Sequence, residues 1–461
     1  MVKRTMTLIA GLLVAMMASL YSDISTAKRA VNISYNDQEV VVKSGLATPV
    51  MEAGRTQNAY LRVSLTGYEM SESIERPPLN VAIVLDESSS MSGEKIARAK
   101  EAAILAVSKL SANDVVSIVT YNSTVNVLVP ATRVTNKSRL YDAIETIRAN
   151  GSTALFAGTS KGAFEVRKFL DRERVNRVVL LSDGMANVGP DSPSALGQLG
   201  RSLAKEGMSV STIGLGLGYN EDLMTQLANY SDGNHQFVEN SADLARVFDR
   251  EFGDAMSVVA QNVEIEIVCD EGVRPIRIIG RDGTIIGNRV VTTVNQLYSA
   301  QQNYVVLEVE VPASDAGVKR KVADVRVKYN NMALQKTMTA KNQIEASFTA
   351  SEQRVKESID RSAYEAAIEQ VANVEARRAV ELRDRGDVVG AQKALRSNAQ
   401  LLDEAADLIQ SPKLERQSQE SLEESEVVSE DDWNKNRKIL KERTYKRSKQ
   451  QPYSSRSGSP N

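Results

Sequence analysis

The sequence predicts an α/β fold: a mostly parallel sheet with helices on both faces, inserted in a β-sandwich and followed by a C-terminal helical hairpin and a disordered charged tail. Three observations carry this. Between residues 79 and 252, short runs of Val, Ile and Leu alternate with segments whose apolar residues recur every three or four positions. That pattern marks strands buried on both faces between amphipathic helices. On either side the texture turns to alternating, β-branched strands broken by turn residues. A chain of 461 residues is also too long for a single core.

Taken in order, residues 1–27 begin with Lys3 and Arg4, continue in an apolar run of 13 residues over 8–20, and close on Ser25 and Ala27. This is the pattern of a secretory signal peptide, and the run is short of the roughly 20 residues of a membrane span. An uncleaved N-terminal anchor is the alternative. Either way an exported protein of the periplasm, cell envelope or medium is expected, with no transmembrane segment after the signal.

Residues 28–78 hold strand-like segments at 31–35, 40–42 and 60–65 before Pro77 and Pro78 break the chain. They are too few to hide a sheet face alone. They are expected to share a sandwich with 257–345, where 263–269, 304–311 and 325–329 read as strands and Asp282-Gly283 and Gly287-Asn288 mark turns. The inserted domain, 79–252, takes its strands from 81–85, 115–120, 178–181 and 208–213. One of its helices is read on Ile96, Ala99, Ala103, Leu105, Ala106 and Leu110, another on Leu140, Ile144 and Ile147.

Residues 351–410 read as a helical hairpin turning at Arg385-Gly386-Asp387. It resembles one unit of a tetratricopeptide-type repeat. A lone unit has no neighbour to stack on, so the hairpin is expected to pack against the sandwich. Residues 412–432 then carry eight acidic and two basic side chains, and 435–456 nine basic and one acidic. Such blocks favour disorder over 412–461. Contact of the basic block with an anionic surface, and pairing of the two blocks, are the alternatives.

Composition narrows the function. A formal charge of −2 gives no pull toward nucleic acid. The single cysteine, Cys269, excludes an intramolecular disulfide or a thiolate zinc cluster, and it reads as a small buried apolar residue. The single histidine, His235, excludes mechanisms that need two imidazoles, and it reads as a turn cap. A binding protein rather than an enzyme is expected.

The strand at 79–85 runs into Asp86-Glu87-Ser88-Ser89-Ser90-Met91, and a helix begins soon after. This loop therefore lies at the carboxyl end of a central parallel strand, where open α/β sheets bind ligands. The Asp86 carboxylate and the Ser88 and Ser90 hydroxyls are hard oxygen donors, suited to Mg²⁺, Mn²⁺ or Ca²⁺ rather than zinc. Asp183 ends a second parallel run. If the two strands are neighbours, Asp86 and Asp183 converge, and Thr153 approaches from a third loop. The alternative is a set of hydroxyls that cap helix starts without a metal.

On these residues the sequence resembles a von Willebrand factor type A (vWA) domain over about 79–252. The match is Asp-x-Ser-x-Ser at Asp86, Ser88 and Ser90, then Thr153, then Asp183, with 116–121 as a typical second strand. Ser89 stands where many relatives have glycine. The flanking segments resemble exported bacterial proteins related to chloride-channel-like and inter-α-trypsin-inhibitor-like proteins. The resemblance implies a Rossmann-like fold with a metal-ion-dependent adhesion site. Ser88, Ser90 and Thr153 would bind the cation directly, and Asp86 and Asp183 would act through water. It implies an adhesion or scaffold module whose partner is a protein presenting Asp or Glu, because hydroxyl ligands leave the cation's charge largely uncompensated.

Two rival readings stand beside it: an envelope scaffold with an idle metal site, and a metal-dependent hydrolase with Glu87 as its one obvious proton-moving group. Ser92-Gly93-Glu94-Lys95 fits the Ser-x-x-Lys motif of penicillin-binding enzymes, but the companion motifs stand in the wrong order. The glycines at Gly214, Gly216 and Gly218 read as a strand-end turn rather than a dinucleotide loop.

Overall fold

The structure, a computed structural model, describes residues 38–71, 75–429 and 432–451. The expected signal peptide over 1–27, the strand at 31–35 and the end of the tail at 452–461 lie outside the described residues.

Three strands come first: β1 (Val41–Leu46), β2 (Val50–Glu52) and β3 (Gln57–Thr66). The inserted domain follows as β4 (Leu79–Asp86), α1 (Glu94–Lys109), β5 (Val115–Tyr121), β6 (Val125–Arg133), α2 (Lys137–Glu145), α3 (Leu155–Arg167), β7 (Val175–Ser182), α4 (Pro193–Lys205), β8 (Met208–Leu215), α5 (Glu221–Ser231), β9 (His235–Val238) and α6 (Leu244–Met256). Strands then return as β10 (Val258–Cys269), β11 (Arg274–Ile279), β12 (Gly283–Ile286), β13 (Arg289–Tyr298), β14 (Gln302–Val311), β15 (Lys319–Asn331) and β16 (Lys336–Thr349). Helices α7 (Glu352–Glu357), α8 (Arg361–Asp384), α9 (Val388–Ile409), α10 (Pro412–Val427) and α11 (Trp433–Ser448) complete the described chain.

The inserted sheet has the order β6-β5-β4-β7-β8-β9, parallel throughout except for β6. Every residue of β4 is buried. Val81, Ile83 and Leu85 share one core with Ala99, Ala103 and Ala106 of α1. Ala82 and Val84 share the other with Ala163 and Val166 of α3. Burial on both faces is why the strand reads as a nearly continuous apolar run. Strand β6 is absent from the sequence reading. It is a half-exposed edge strand with Pro130 inside it, and it pairs with β5 through two register shifts.

The sandwich is built from both sides of the insert. Its sheets run β1-β3-β14-β11 and β12-β13-β10-β15-β16-β2. Strand β3 pairs with β14 along its whole length, and β2 adds in parallel to β16. Leu61 and Val63 from before the insert share a core with Ile265, Ile267, Cys269 and Val305 from after it. At the neck the Gly67 amide donates to the Gln301 carbonyl at 3.0 Å. A Cβ on Gly67 would lie 2.2 Å from the Tyr298 carbonyl oxygen, so only glycine fits. Arg177 of β7, 1% exposed, ties the inserted domain to the sandwich. Its guanidinium donates to Glu251 of α6 at 2.7 Å, to the Tyr298 hydroxyl of β13 at 2.8 Å, and to Gln296.

Helices α8 and α9 form the expected hairpin, turning where Gly386 holds φ at +87°. Ala366 and Ala367 of α8 pack on Ile279, Tyr304 and Val306 of the sandwich.

The tail corrects the sequence reading. Residues 412–427 and 433–448 are helices, not disordered chain. Arg443 pairs with Glu424 at 2.7 Å, and Arg447 pairs with Glu420, so the basic block meets the acidic one through two ion pairs. The rest of α11, with Lys449 just after it, docks on the inserted domain and on α8. Arg437 pairs with Asp384 and Asp222, both at 2.8 Å, and with Glu221. Lys438 pairs with Glu221, Lys441 with Asp222 and Lys449 with Asp232. These cations are spent inside the molecule, which removes the basis for an anionic-surface contact through them.

His235 also departs from its reading as a turn cap. It is buried at the start of β9 beneath α11, its Nδ1 2.8 Å from the Thr212 hydroxyl and its ring edge-on to Tyr445. Burial, reinforced by repulsion from Lys446, Lys438 and Lys441, pushes its pKa down to about 3. A lowered histidine pKa contributes stability that is complete above the unfolded value and is lost as pH falls toward the folded one. Acidification from pH 7 to pH 5 should therefore cost about 2 kcal/mol through this one residue. Urea unfolding of the wild type and of His235→Gln at the two pH values checks this: on acidification the wild type should lose about 2 kcal/mol more than the variant, with the opposite contribution of Asp254, held up at about 6 by burial, common to both. An equal loss in the variant would assign the pH dependence to other groups.

Candidate metal centre

Strands β4 and β7 are hydrogen-bonded neighbours, with Leu85 opposite Leu181. The residues that follow them, Asp86 at the end of β4 and Asp183 just past β7, therefore emerge side by side. The chain order reverses between these strands, since β4 is followed by β5 on one side and flanked by β7 on the other. That crevice at the carboxyl ends of the strands is the switch point of an open α/β sheet.

The five residues singled out in the sequence meet there. Asp86 is fully buried; its Oδ1 accepts the Ser88 amide at 2.9 Å and its Oδ2 the Ser182 hydroxyl at 2.7 Å. The Ser88 and Ser90 hydroxyls lie 3.0 Å apart. Ser90 donates to Oδ1 of Asp183 at 2.7 Å. Thr153 comes from the loop before α3, fixed by its amide on Asn187 Oδ1 at 2.8 Å. A Cβ added to Gly184 would lie 3.2 Å from the Thr153 hydroxyl and 3.4 Å from that of Ser90. The two hydroxyls thus face the same space beside the Asp183-Gly184 turn.

Local backbone holds the three loops in register. The Ser89 amide donates to the Gly151 carbonyl at 3.0 Å, and the Asn150 amide to the Glu87 carbonyl at 2.7 Å. Gly151 has φ +75°, and a Cβ there would meet the Ser123 hydroxyl at 2.9 Å. Ser89 sits in a 3-10 turn over Ser89–Met91 without a positive φ, so a serine adopts it without strain.

The electrostatics fit an anionic cradle. Burial pushes the Asp86 carboxyl above its usual range; hydrogen bonds from Ser88 and Ser182 pull it back, and the Asp183 charge adds to the rise. Burial also raises Glu87, whose carboxylate accepts from Asn122 at 3.2 Å. Among the described residues no three Asp, Glu, His or Cys side chains gather into a metal-binding group. The donors here are instead two carboxylates and three hydroxyls, an oxygen set that matches a hard divalent cation.

Sequence reading missed two neighbours of this set. Ser182 ends β7, and its hydroxyl holds Asp86 Oδ2. Lys95, read as part of the Ser-x-x-Lys coincidence, donates to Asp183 Oδ2 at 2.5 Å and to the Ser90 carbonyl at 3.3 Å. The glycine-rich segment behaves as a strand-end turn: Gly216 holds φ +71°, and Gly218 lies against the Asp183 carbonyl.

The sequence of residues 80–250 matches the von Willebrand factor type A domain family. Residues 80–250 are a vWA domain. Among its relatives, the Escherichia coli (strain K12) protein YfbK is 28% identical over 213 residues, covering 46% of this chain and 37% of YfbK. Inter-alpha-trypsin inhibitor heavy chain H2 of Sus scrofa is 27% identical over 205 residues, covering 42% of this chain and 22% of the heavy chain. Both matches span well under half of the relative's length. The solved structure of a von Willebrand factor type A protein from Catenulispora acidiphila superposes with a TM-score of 0.69 at 16% identity. It covers 90% of this chain and 98% of its own, so the likeness in fold extends beyond the vWA domain to the parts around it.

Proposed function

We propose that this protein is an exported, divalent-cation-dependent protein-binding module, an adhesion or scaffold component of the periplasm or cell envelope. Ser88, Ser90 and Thr153 hold Mg²⁺, or Mn²⁺ or Ca²⁺, while Asp86 and Asp183 anchor it through water. The observation that carries the reading is the convergence of three hydroxyls and two buried carboxylates at the switch point of the vWA sheet. When bound, the cation supplies an electrophilic point for an oxygen ligand. The chain's own residues keep that point short of full neutralisation, so an Asp or Glu of a protein partner is favoured to complete it. The apolar run over 8–20 and the small residues after it support export. His235 is buried under α11 and held by Thr212, which does not favour it as the proton carrier of a metal-dependent hydrolase.

A peptide array probed with the full chain tests the reading. Binding in Mg²⁺ should be restricted to peptides that contain Asp or Glu, and should vanish in EDTA and in the Asp86→Ala variant. Equal binding in EDTA would place partner recognition elsewhere and favour the scaffold with an idle site.

A further inference from the structure

Lys95 belongs to a motif that the function leaves unused, yet its side chain reaches the centre of the site. Its ammonium meets Asp183 Oδ2 at 2.5 Å and the Ser90 carbonyl at 3.3 Å, while the other Asp183 oxygen takes the Ser90 hydroxyl at 2.7 Å. The Asp183 side chain is fully buried, and that of Lys95 is 38% exposed, entering from the first turn of α1. Both oxygens of Asp183 are therefore engaged by the protein itself. Glu87, the other carboxylate of this loop, is turned to Asn122.

We propose that Lys95 is a positioning residue that sets the charge of the metal site, so that a bound cation leaves it positive and a partner's carboxylate completes it. The inference rests on the reading that this site holds a divalent cation. Asp86, Asp183 and Lys95 together carry a net charge of about −1 when ionised in their usual forms. A divalent cation turns that to about +1, and one carboxylate brings it to neutrality. Without the ammonium, the cation alone would neutralise the two aspartates and the partner would lose its electrostatic reward. Lys95 also holds the Asp183 carboxylate by one oxygen, which disfavours its rotation into direct, charge-cancelling ligation.

Two affinities should consequently move in opposite directions in Lys95→Met. Calorimetric titration of the full chain with Mn²⁺ reports the first. Acetate, titrated onto the Mn²⁺-loaded protein and followed by water-proton relaxation, reports the second. In Lys95→Met the Mn²⁺ dissociation constant should fall on the order of tenfold, the scale of one unit charge removed a few ångströms from the cation. The acetate needed for half-displacement of water should rise on the order of fivefold by the same electrostatics. Lys95→Arg should stay near wild type on both. Loss of packing alone would weaken both affinities together. Parallel weakening, or no change in either, overturns the role of Lys95 while leaving the metal reading intact. Absence of Mn²⁺ binding in the wild type overturns both.

Discussion

An Asp86→Asn protein should melt at the same temperature in Mg²⁺ and in EDTA, whereas the wild type should melt higher in Mg²⁺. A ligand that binds only the native state adds about 2.7 kcal/mol at roughly 100 times its dissociation constant, and this increment should disappear with the Asp86 charge. The metal-free comparison has the opposite sign. Burial and the neighbouring Asp183 make the ionised Asp86 carboxylate costly in the folded protein, and asparagine keeps the shape while dropping the charge. In EDTA the variant should be at least as stable as the wild type; in Mg²⁺ it should be the less stable of the two. Thermal melts in the two buffers give all four values. A variant that is destabilised equally in both would show that Asp86 serves only to pin Ser88 and Ser182.

Glu221→Ala should cost about 3–5 kcal/mol, because it strands a buried cation. Lys438 is 2% exposed, and once Glu221 is gone its ammonium keeps the Tyr219 carbonyl, at 2.9 Å, and the face of the Tyr219 ring, 4.5 Å from its centroid, but no anion. Arg437 retains Asp222 and Asp384, so the loss centres on Lys438. The double variant Glu221→Ala, Lys438→Met should recover most of the deficit, since removing both charges leaves no unpaired ion. The protein's one tryptophan, Trp433, starts α11, with its indole N–H on Asp384 at 3.0 Å and Arg383 over its ring. Its fluorescence therefore reports the docking of α11. In Glu221→Ala the fluorescence transition in urea should precede the loss of far-ultraviolet ellipticity. Coincident, unshifted transitions would mean that the ion pair contributes little to holding the helix.

The contrast between these two regions shows what the sequence makes legible. Strands β4 and β7 announce themselves because both faces are buried, and the metal-site residues follow because each ends a strand or opens a loop at a fixed place in the topology. The shared sandwich is also legible, since 28–78 cannot bury a sheet alone. What stays hidden depends on partners far away in the chain. The basic block looks repulsive until Glu221, Asp222 and Asp232 are seen to face it from about 200 residues earlier. Lys95 is hidden for the same reason: its partner Asp183 lies on another loop, and local spacing pointed instead to an unrelated motif. Strand β6 is missed because an exposed edge containing Pro130 has neither the continuous apolar run nor the clean alternation of a core strand.

The most direct measurement is a calorimetric titration of the full chain with Mg²⁺, Mn²⁺ and Ca²⁺, run beside Asp86→Asn. One saturable site per chain for at least one of these ions, absent from the variant, is the predicted result. No saturable binding of any of the three, or equal binding by the variant, would contradict a metal centre built from Asp86, Ser88, Ser90, Thr153 and Asp183.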